Sequence, residues 1–253
     1  MMLLPNEHYE PLSGGISLIV SPVHRFNTDT VLLAWFAAPR KNEACADFGT
    51  GCGAIPLIWC AKARTGEGSL PAKVYAVELQ EDACSMAERS VLENGLDKTI
   101  SIVHGDLTQL PYLHAPRGLD LVCCNPPYKP EGTGIRNPHE GMSIARHEVA
   151  CGFADIAKAA SYQLRFGGRF CCCLRPERLC GVMDDLRNAG LEPKRLRFVQ
   201  QRTDKPPSLF LLQAARGGKP GLRVEPVLFV EDASGGFSPE MIQIYGAYKE
   251  GHL

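Results

Sequence analysis

The sequence predicts a doubly wound α/β fold. It comprises seven strands in a mostly parallel sheet, helices on both faces, and an antiparallel hairpin at one end. Three observations predict it. Short apolar runs alternate with longer helical stretches, the pattern of a parallel sheet covered on both sides. Glycine stops end the helical stretches, as at Asn94-Gly95, Gly167-Gly168 and Gly190. The last two apolar runs are joined only by residues 200–208, too short for a helical crossover, so they are expected to pair antiparallel.

Taken in order, the expected strands are Ala44–Phe48, Lys73–Leu79, Ile100–His104, Leu119–Cys124, Arg169–Leu174, Arg195–Val199 and Leu209–Ala214. Helices are expected over Ala54–Arg64, Glu81–Asn94, Phe153–Phe166 and Glu177–Ala189. The first carries Pro56 in its opening turn, where a missing N–H is tolerated. Residues 1–40 form an N-terminal extension, with a hairpin-like turn around Ser13-Gly14-Gly15 and a helix over Thr28–Ala38. Residues 224–253 form a C-terminal extension, with one more strand and a helix from Ser238 that has Pro239 at its first position. No composition break divides the 253 residues, so 1–253 is expected to be a single domain.

Hydrophobic residues make up 45% and charged residues 22%, enough for a substantial core. No run approaches the ~20 apolar residues needed to span a bilayer, and the opening "MMLLPNEHYE" has no signal-peptide pattern, so a cytoplasmic protein without membrane contact is expected. The eleven cysteines include no C-x-x-C spacing. Consecutive residues of a strand face opposite sides, so the three in "RFCCCL" cannot share one metal. They read as small buried hydrophobes in a reducing compartment, and no metal site is expected.

The net charge of −1 selects no class of partner, but its distribution is uneven. Eight basic residues and one acid lie between Lys194 and Arg223, whereas five acids and one lysine follow from Val224 onward. Two readings are open: a solvated face with compensating charge, or a surface for a polyanion.

"ACADFGTGCGAIP" stands where the first central strand meets its helix. Gly49, Gly51 and Gly53 allow a tight turn and close approach of a ligand, and ligands of parallel sheets bind at the carboxyl ends of strands. Glu78, at the end of the next strand, is suited to accept from two ribose hydroxyls. The loop alone fits a nicotinamide dinucleotide, an adenosyl sulfonium or a purely structural turn. Asp47 favours a ligand carrying an ammonium over a pyrophosphate. Asp106, with Leu107 beside it, ends the third strand and is placed either to accept from an adenine amine or to cap the following turn.

"CCNPPYKP" breaks the fourth strand. Pro126 and Pro127 have no N–H, so the ladder stops, and their fixed φ holds Asn125 and Tyr128 in a rigid frame. The Asn125 side-chain oxygen and the Pro126 carbonyl are then two acceptors about one amine apart. Two such acceptors grip both hydrogens of an aryl amine and turn its lone pair toward an electrophile. Tyr128 offers a stacking face for a planar base. The plain alternative is a proline-rich strand end with a surface tyrosine.

With these residues the chain resembles a class I S-adenosylmethionine-dependent methyltransferase, whose fold is Rossmann-like. "DFGTGCGAIPL" is similar to the family's first motif, Glu78 to its ribose-binding acid, Gly105-Asp106 to its adenine-contacting motif, and "NPPY" to the catalytic motif of its amino-methylating subclass. "HRFNTDTVLLAWFA" and "PVLFVEDASGGFSPEMIQIY" resemble segments of the bacterial tRNA (valine) adenine-N6 methyltransferase family, which modifies the adenosine 3′ of the anticodon. The resemblance implies S-adenosylmethionine as cofactor, held by Asp29, Asp47, Gly49, Gly51, Gly53, Glu78, Asp106, Leu107 and Asn125, and catalysis by Asn125, Pro126, Pro127 and Tyr128. It places Asp29 by the methionine end of the cofactor; the plain reading of Asp29 is an acid favoured in the first turn of a helix. "GIRNPHEGMSIARHE" after the motif reads either as a closing loop that meets phosphate or as an ordinary solvated loop. The implied partner is RNA, in particular a tRNA anticodon loop, with a monomer and no obligate protein partner expected. The same chemistry on a protein glutamine or another amino substrate is the alternative.

Overall fold

A computed structural model of the chain describes residues 3–109, 117–126 and 152–248. The central sheet runs through β3 (Ala44–Phe48), β4 (Lys73–Glu78), β5 (Ile100–His104), β6 (Leu119–Cys124), β7 (Leu164–Leu174), β8 (Leu191–Gln200) and β9 (Pro207–Arg216). Their order across the sheet is β5-β4-β3-β6-β7-β9-β8. All pairings from β5 to β7 are parallel, whereas β9 lies antiparallel between β7 and β8. The expected terminal hairpin is therefore present. Two short strands, β10 (Arg223–Val224) and β11 (Leu228–Phe229), extend the seven by pairing parallel to the outer edge of β8.

Helices α1 (Thr28–Ala37), α2 (Ala54–Thr65) and α3 (Glu81–Glu93) cover one face, and α4 (Phe153–Gln163) and α5 (Leu179–Asn188) cover the other. Strand alternation divides the interior into two cores. Cys123, Cys171 and Cys173 point into the first, whereas Cys124 and Cys172 point into the second, as the period of two requires. Nine of the ten described cysteines are buried, and Cys180 is exposed. Burial pushes the Cys171 thiol up to about 11, so these side chains act as compact apolar groups at neutral pH.

The structure corrects two helix boundaries. Residues 164–166, expected at the end of α4, belong to β7, because Leu164 pairs with Leu119 and its side chain is fully buried. Glu177 and Arg178, expected as the start of α5, belong to a 3-10 turn over Pro176–Arg178.

The N-terminal segment and the tail meet. A hairpin of β1 (His8–Pro11) and β2 (Ser17–Val20) packs against α3, and Glu7 is held by two hydrogen bonds from the Arg89 guanidinium at 2.5 and 2.7 Å. Ser238 caps α6 (Pro239–Tyr245) by accepting from the Met241 N–H at 3.2 Å. The Tyr245 hydroxyl bonds to Thr28 at 3.1 Å, and Tyr248 packs on Phe26 with ring centroids 6.1 Å apart. The two stretches most distinctive in the sequence thus support each other around the start of α1.

Four arginines of the basic run 194–223 pair with acids of the following segment. Arg197 donates to both Glu240 oxygens at 2.7 Å, and Arg195 pairs with Glu225 at 3.1 Å while lying over the Phe36 ring. Arg202 and Arg223 also have carboxylate partners, and Arg216 bonds the Leu164 carbonyl. The compensating-charge reading describes four of these arginines, Arg195, Arg197, Arg202 and Arg223, because acids of the following segment lie beside them. Removing one partner of a buried pair leaves the other charge uncompensated. Glu240→Ala is expected to destabilise the protein by about 1–3 kcal/mol, since Arg197 is only 9% exposed. Arg202→Ala, at a site 47% exposed, is expected to change stability by less than about 1 kcal/mol. Urea midpoints at unchanged slope measure both.

Candidate functional site

The carboxyl ends of β3, β4, β5 and β6 lie side by side, and the loop after β3 forms the centre of the site. Gly49, Gly51 and Gly53 have φ of +68°, +57° and +87°, values that strain any residue with a Cβ. Gly53 is also packed tightly, since a Cβ there would meet the Cβ of Ala87 at 3.2 Å. At Gly49 and Gly51 a Cβ would meet nothing within 4 Å among the described residues. The three glycines therefore do different work: Gly53 lets α2 approach α3, and Gly49 and Gly51 present backbone that no described residue crowds.

Carboxylates hold this loop. Glu78, at the end of β4, accepts the Gly51 N–H at 2.8 Å through one oxygen and the Leu79 and Gln80 N–H groups at 2.9 Å through the other. Each oxygen has two acceptor sites, so one site remains, on the oxygen that receives Gly51, for a hydroxyl. Asp47 is buried beneath the loop, accepting from the Thr50 hydroxyl at 2.6 Å and from the Cys123 thiol at 3.1 Å. Asp47 and Cys123 are register partners on adjacent strands, which sets that contact. Asp47 is thus beneath the loop rather than on its open side. Burial pushes its carboxyl up to about 7, against the lowering effect of the Thr50 and Cys123 hydrogen bonds and with a smaller contribution from Glu78.

At the end of β5, the Gly105 N–H donates to the Glu78 carbonyl at 2.9 Å, which joins this turn to β4. Asp106 accepts the Thr108 N–H at 2.8 Å, so it caps its own turn, while Leu107 packs against the second core. At the end of β6, the Asn125 amide lies between two side chains. Its Nδ2 donates to the Thr30 hydroxyl at 3.1 Å, and its Oδ1 accepts from the Cys173 thiol at 3.2 Å. Pro126 is buried. Asp29 stands next to Thr30 in the first turn of α1, and its carbonyl lies 4.0 Å from the Cys173 sulfur. Pro127 and Tyr128, and the segment "GIRNPHEGMSIARHE" after them, lie outside the described residues.

The structure therefore gathers Asp29, Asp47, the three glycines, Glu78, Asp106 and Asn125 at one end of the sheet. Sequence reading passed over Thr30, Cys173, Cys123 and Thr50, which contact Asn125 and Asp47. A signal existed for Thr50 and Cys123, since one lies in the glycine loop and the other on a strand end. Thr30 and Cys173 meet Asn125 only through tertiary contact. Among the described residues, no group of three or more His, Cys, Asp or Glu is arranged to hold a metal, and no helix is long and apolar enough to cross a membrane.

Comparison with known proteins agrees with this arrangement. The methyltransferase small domain family matches residues 25–142. A tRNA1(Val) (adenine(37)-N6)-methyltransferase from Shewanella sp. strain MR-4 is 27% identical over 223 residues, covering 86% of this chain and 89% of that protein. One of the same name from Pedobacter heparinus is 29% identical over 184 residues, covering 72% and 73%. Among solved structures, one described as a predicted O-methyltransferase from Agrobacterium tumefaciens superposes with a TM-score of 0.64 at 19% identity, over 86% of this chain and 95% of that one. That likeness establishes the fold alone.

The buried acid gives a pH dependence. In the folded protein Asp47 holds its proton far more tightly than at the ordinary value of 3.8. Its contribution to stability is complete below that value and is lost as pH rises through about 7. Asp47→Asn does not titrate. The melting temperature of the variant is expected to gain on that of the parent between pH 5 and pH 8. A constant difference across that range would contradict the burial assigned to this carboxyl.

Proposed function

We propose that this chain, an S-adenosylmethionine-dependent methyltransferase, methylates the N6 amine of an unpaired adenine in tRNA, next to the anticodon. The observation that carries the reading is the placement of Asn125-Pro126 at the end of β6, the strand hydrogen-bonded to the one that leads into the glycine loop. The names of the relatives from Shewanella and Pedobacter support the substrate.

The residues present fit the cofactor. The bare backbone at Gly49 and Gly51 would let a nucleoside approach closely, and Glu78 retains one acceptor site for a ribose hydroxyl. Asp29, Asp106 and Leu107 would border the same space, and Asp47 would act from below by fixing Thr50. When bound, S-adenosylmethionine supplies an electrophilic methyl carbon on its sulfonium.

The chain's part is to orient the amine. The nitrogen lone pair of adenine's amine is delocalised into the ring and is a poor nucleophile. Asn125 Oδ1 and the Pro126 carbonyl accept its two hydrogens and draw the nitrogen toward tetrahedral geometry, so that the lone pair faces the methyl. Positive charge develops on the nitrogen, and the two fixed acceptor dipoles stabilise it. The extra proton leaves after the new N–C bond has formed, so no strong base is needed. Tyr128 would offer the purine a stacking face, and Pro127 would limit the motif's backbone freedom through its fixed φ. An anticodon loop already has unpaired bases, which lowers the cost of bringing one into the site.

Incubation of tRNA with the protein and S-adenosylmethionine, followed by mass spectrometry of the nucleosides, is expected to give new N6-methyladenosine. Asn125→Ala is expected to lower kcat about 10²–10³-fold, as for loss of one preorganised polar partner, with melting temperature maintained. Label that accumulates in the protein fraction and not in RNA would replace this substrate with a side-chain amide.

A further inference from the structure

We propose that Thr30 and Asn27 are positioning residues that dictate which way the Asn125 amide faces, with Cys173 selecting the same orientation from the other side. The inference deepens the reading of Asn125 as the acceptor for the reacting amine and rests on it.

The oxygen and NH2 group of an asparagine amide are nearly equal in size, and only hydrogen bonding tells them apart. The reaction needs the oxygen toward the substrate, because an NH2 group there would oppose an incoming amine donor to donor. A neighbouring hydroxyl does not by itself select an orientation, since it donates or accepts as required. At Thr30 that freedom is removed. The Thr30 backbone N–H donates to the Asn27 side chain at 3.1 Å, so the Asn27 atom is its oxygen, which only accepts. The Thr30 hydroxyl lies 3.2 Å from the same oxygen and commits its single proton to it. Only lone pairs of the hydroxyl remain toward Asn125, and they select its Nδ2, at 3.1 Å.

Cys173 acts in the same sense. Its sulfur is 3.2 Å from Asn125 Oδ1 and carries a proton to donate. A flipped amide would lose the Thr30 contact, setting its oxygen against hydroxyl lone pairs, and would exchange the S–H···O bond of Cys173 for a weak N–H···S contact. The order of protons thus starts at the N-cap of α1 and runs through Thr30 to the end of β6. Thr30 is 8% exposed and Cys173 is fully buried, so neither exchanges its partner freely with water.

The test compares Thr30→Val, which keeps the shape but loses the hydroxyl, with Thr30→Ser, which restores it. The first readout is the side-chain amide resonance of Asn125 in 15N-asparagine-labelled protein, assigned by its disappearance in Asn125→Ala. It is expected to shift and broaden in Thr30→Val and to return in Thr30→Ser. The second is turnover, measured with whichever amine substrate the parent labels. Thr30→Val is expected to lower kcat about tenfold, with KM for that substrate and the cofactor Kd within threefold of the parent, and Thr30→Ser to recover most of kcat. An unchanged resonance in Thr30→Val would overturn the proposal whatever the activity. Equal loss of kcat in both variants would also overturn it, since that is a packing effect. Asn125→Ala with full activity would sink the catalytic reading of Asn125 instead, leaving the resonance to decide the orientation.

Discussion

A single carboxylate joins the loops on which the site is built. Glu78 collects three backbone N–H groups, one from the glycine loop after β3 and two from the turn after β4. Its own carbonyl accepts from the turn after β5. Three strand ends are therefore tied at one residue, and the residue is buried, so each of those donors depends on it for a partner. The parallel register makes this possible. With β3, β4 and β5 paired in one direction, their carboxyl ends finish side by side, and one side chain reaches the neighbouring turns.

Around that anchor the protein keeps several polar groups in low dielectric, and each is matched. Asp47 has a hydroxyl and a thiol, and Asn125 has a hydroxyl and a thiol. The thiols explain part of the cysteine-rich sequence. A cysteine fills an apolar position on a strand as a small hydrophobe would, yet it can still turn a weak S–H toward an adjacent oxygen. Cys123 and Cys173 serve both purposes on the first face of the sheet, whereas Cys172 and Cys124 pack among the aromatic and aliphatic residues of the second.

The ends of the chain are joined to the same region. The start of α1 carries Asn27, Thr28, Asp29 and Thr30, and the tail closes on it through Tyr245 and Tyr248. The tail is in turn fastened to β8 by the paired Arg197 and Glu240. Part of the charge along the sequence, which is open to a polyanion-facing or a compensating reading, is used at Arg195, Arg197, Arg202 and Arg223 to pair with acids of the following segment. Local composition could not distinguish these outcomes, because a guanidinium has the same sequence signal whether its carboxylate partner lies on a ligand or in the next strand.

What the sequence alone determined is what short-range chemistry encodes. The bounds of β3, β5 and β6 follow from apolar runs and their breakers, and the terminal hairpin from a link too short for a crossover. The glycines at 49, 51 and 53 were legible because positive φ is a property of single residues. Only the tertiary structure decided the rest. It put Asp47 beneath the loop and not on its open side, ended α4 at Gln163 because Leu164 had a strand to join, and gave Gly53 a packing role distinct from that of Gly49 and Gly51. It also brought Thr30 and Cys173 to Asn125 across 95 and 48 residues of chain. A hydrogen bond depends on where two groups finish in space, and periodicity along one strand or helix says nothing about a partner so far away.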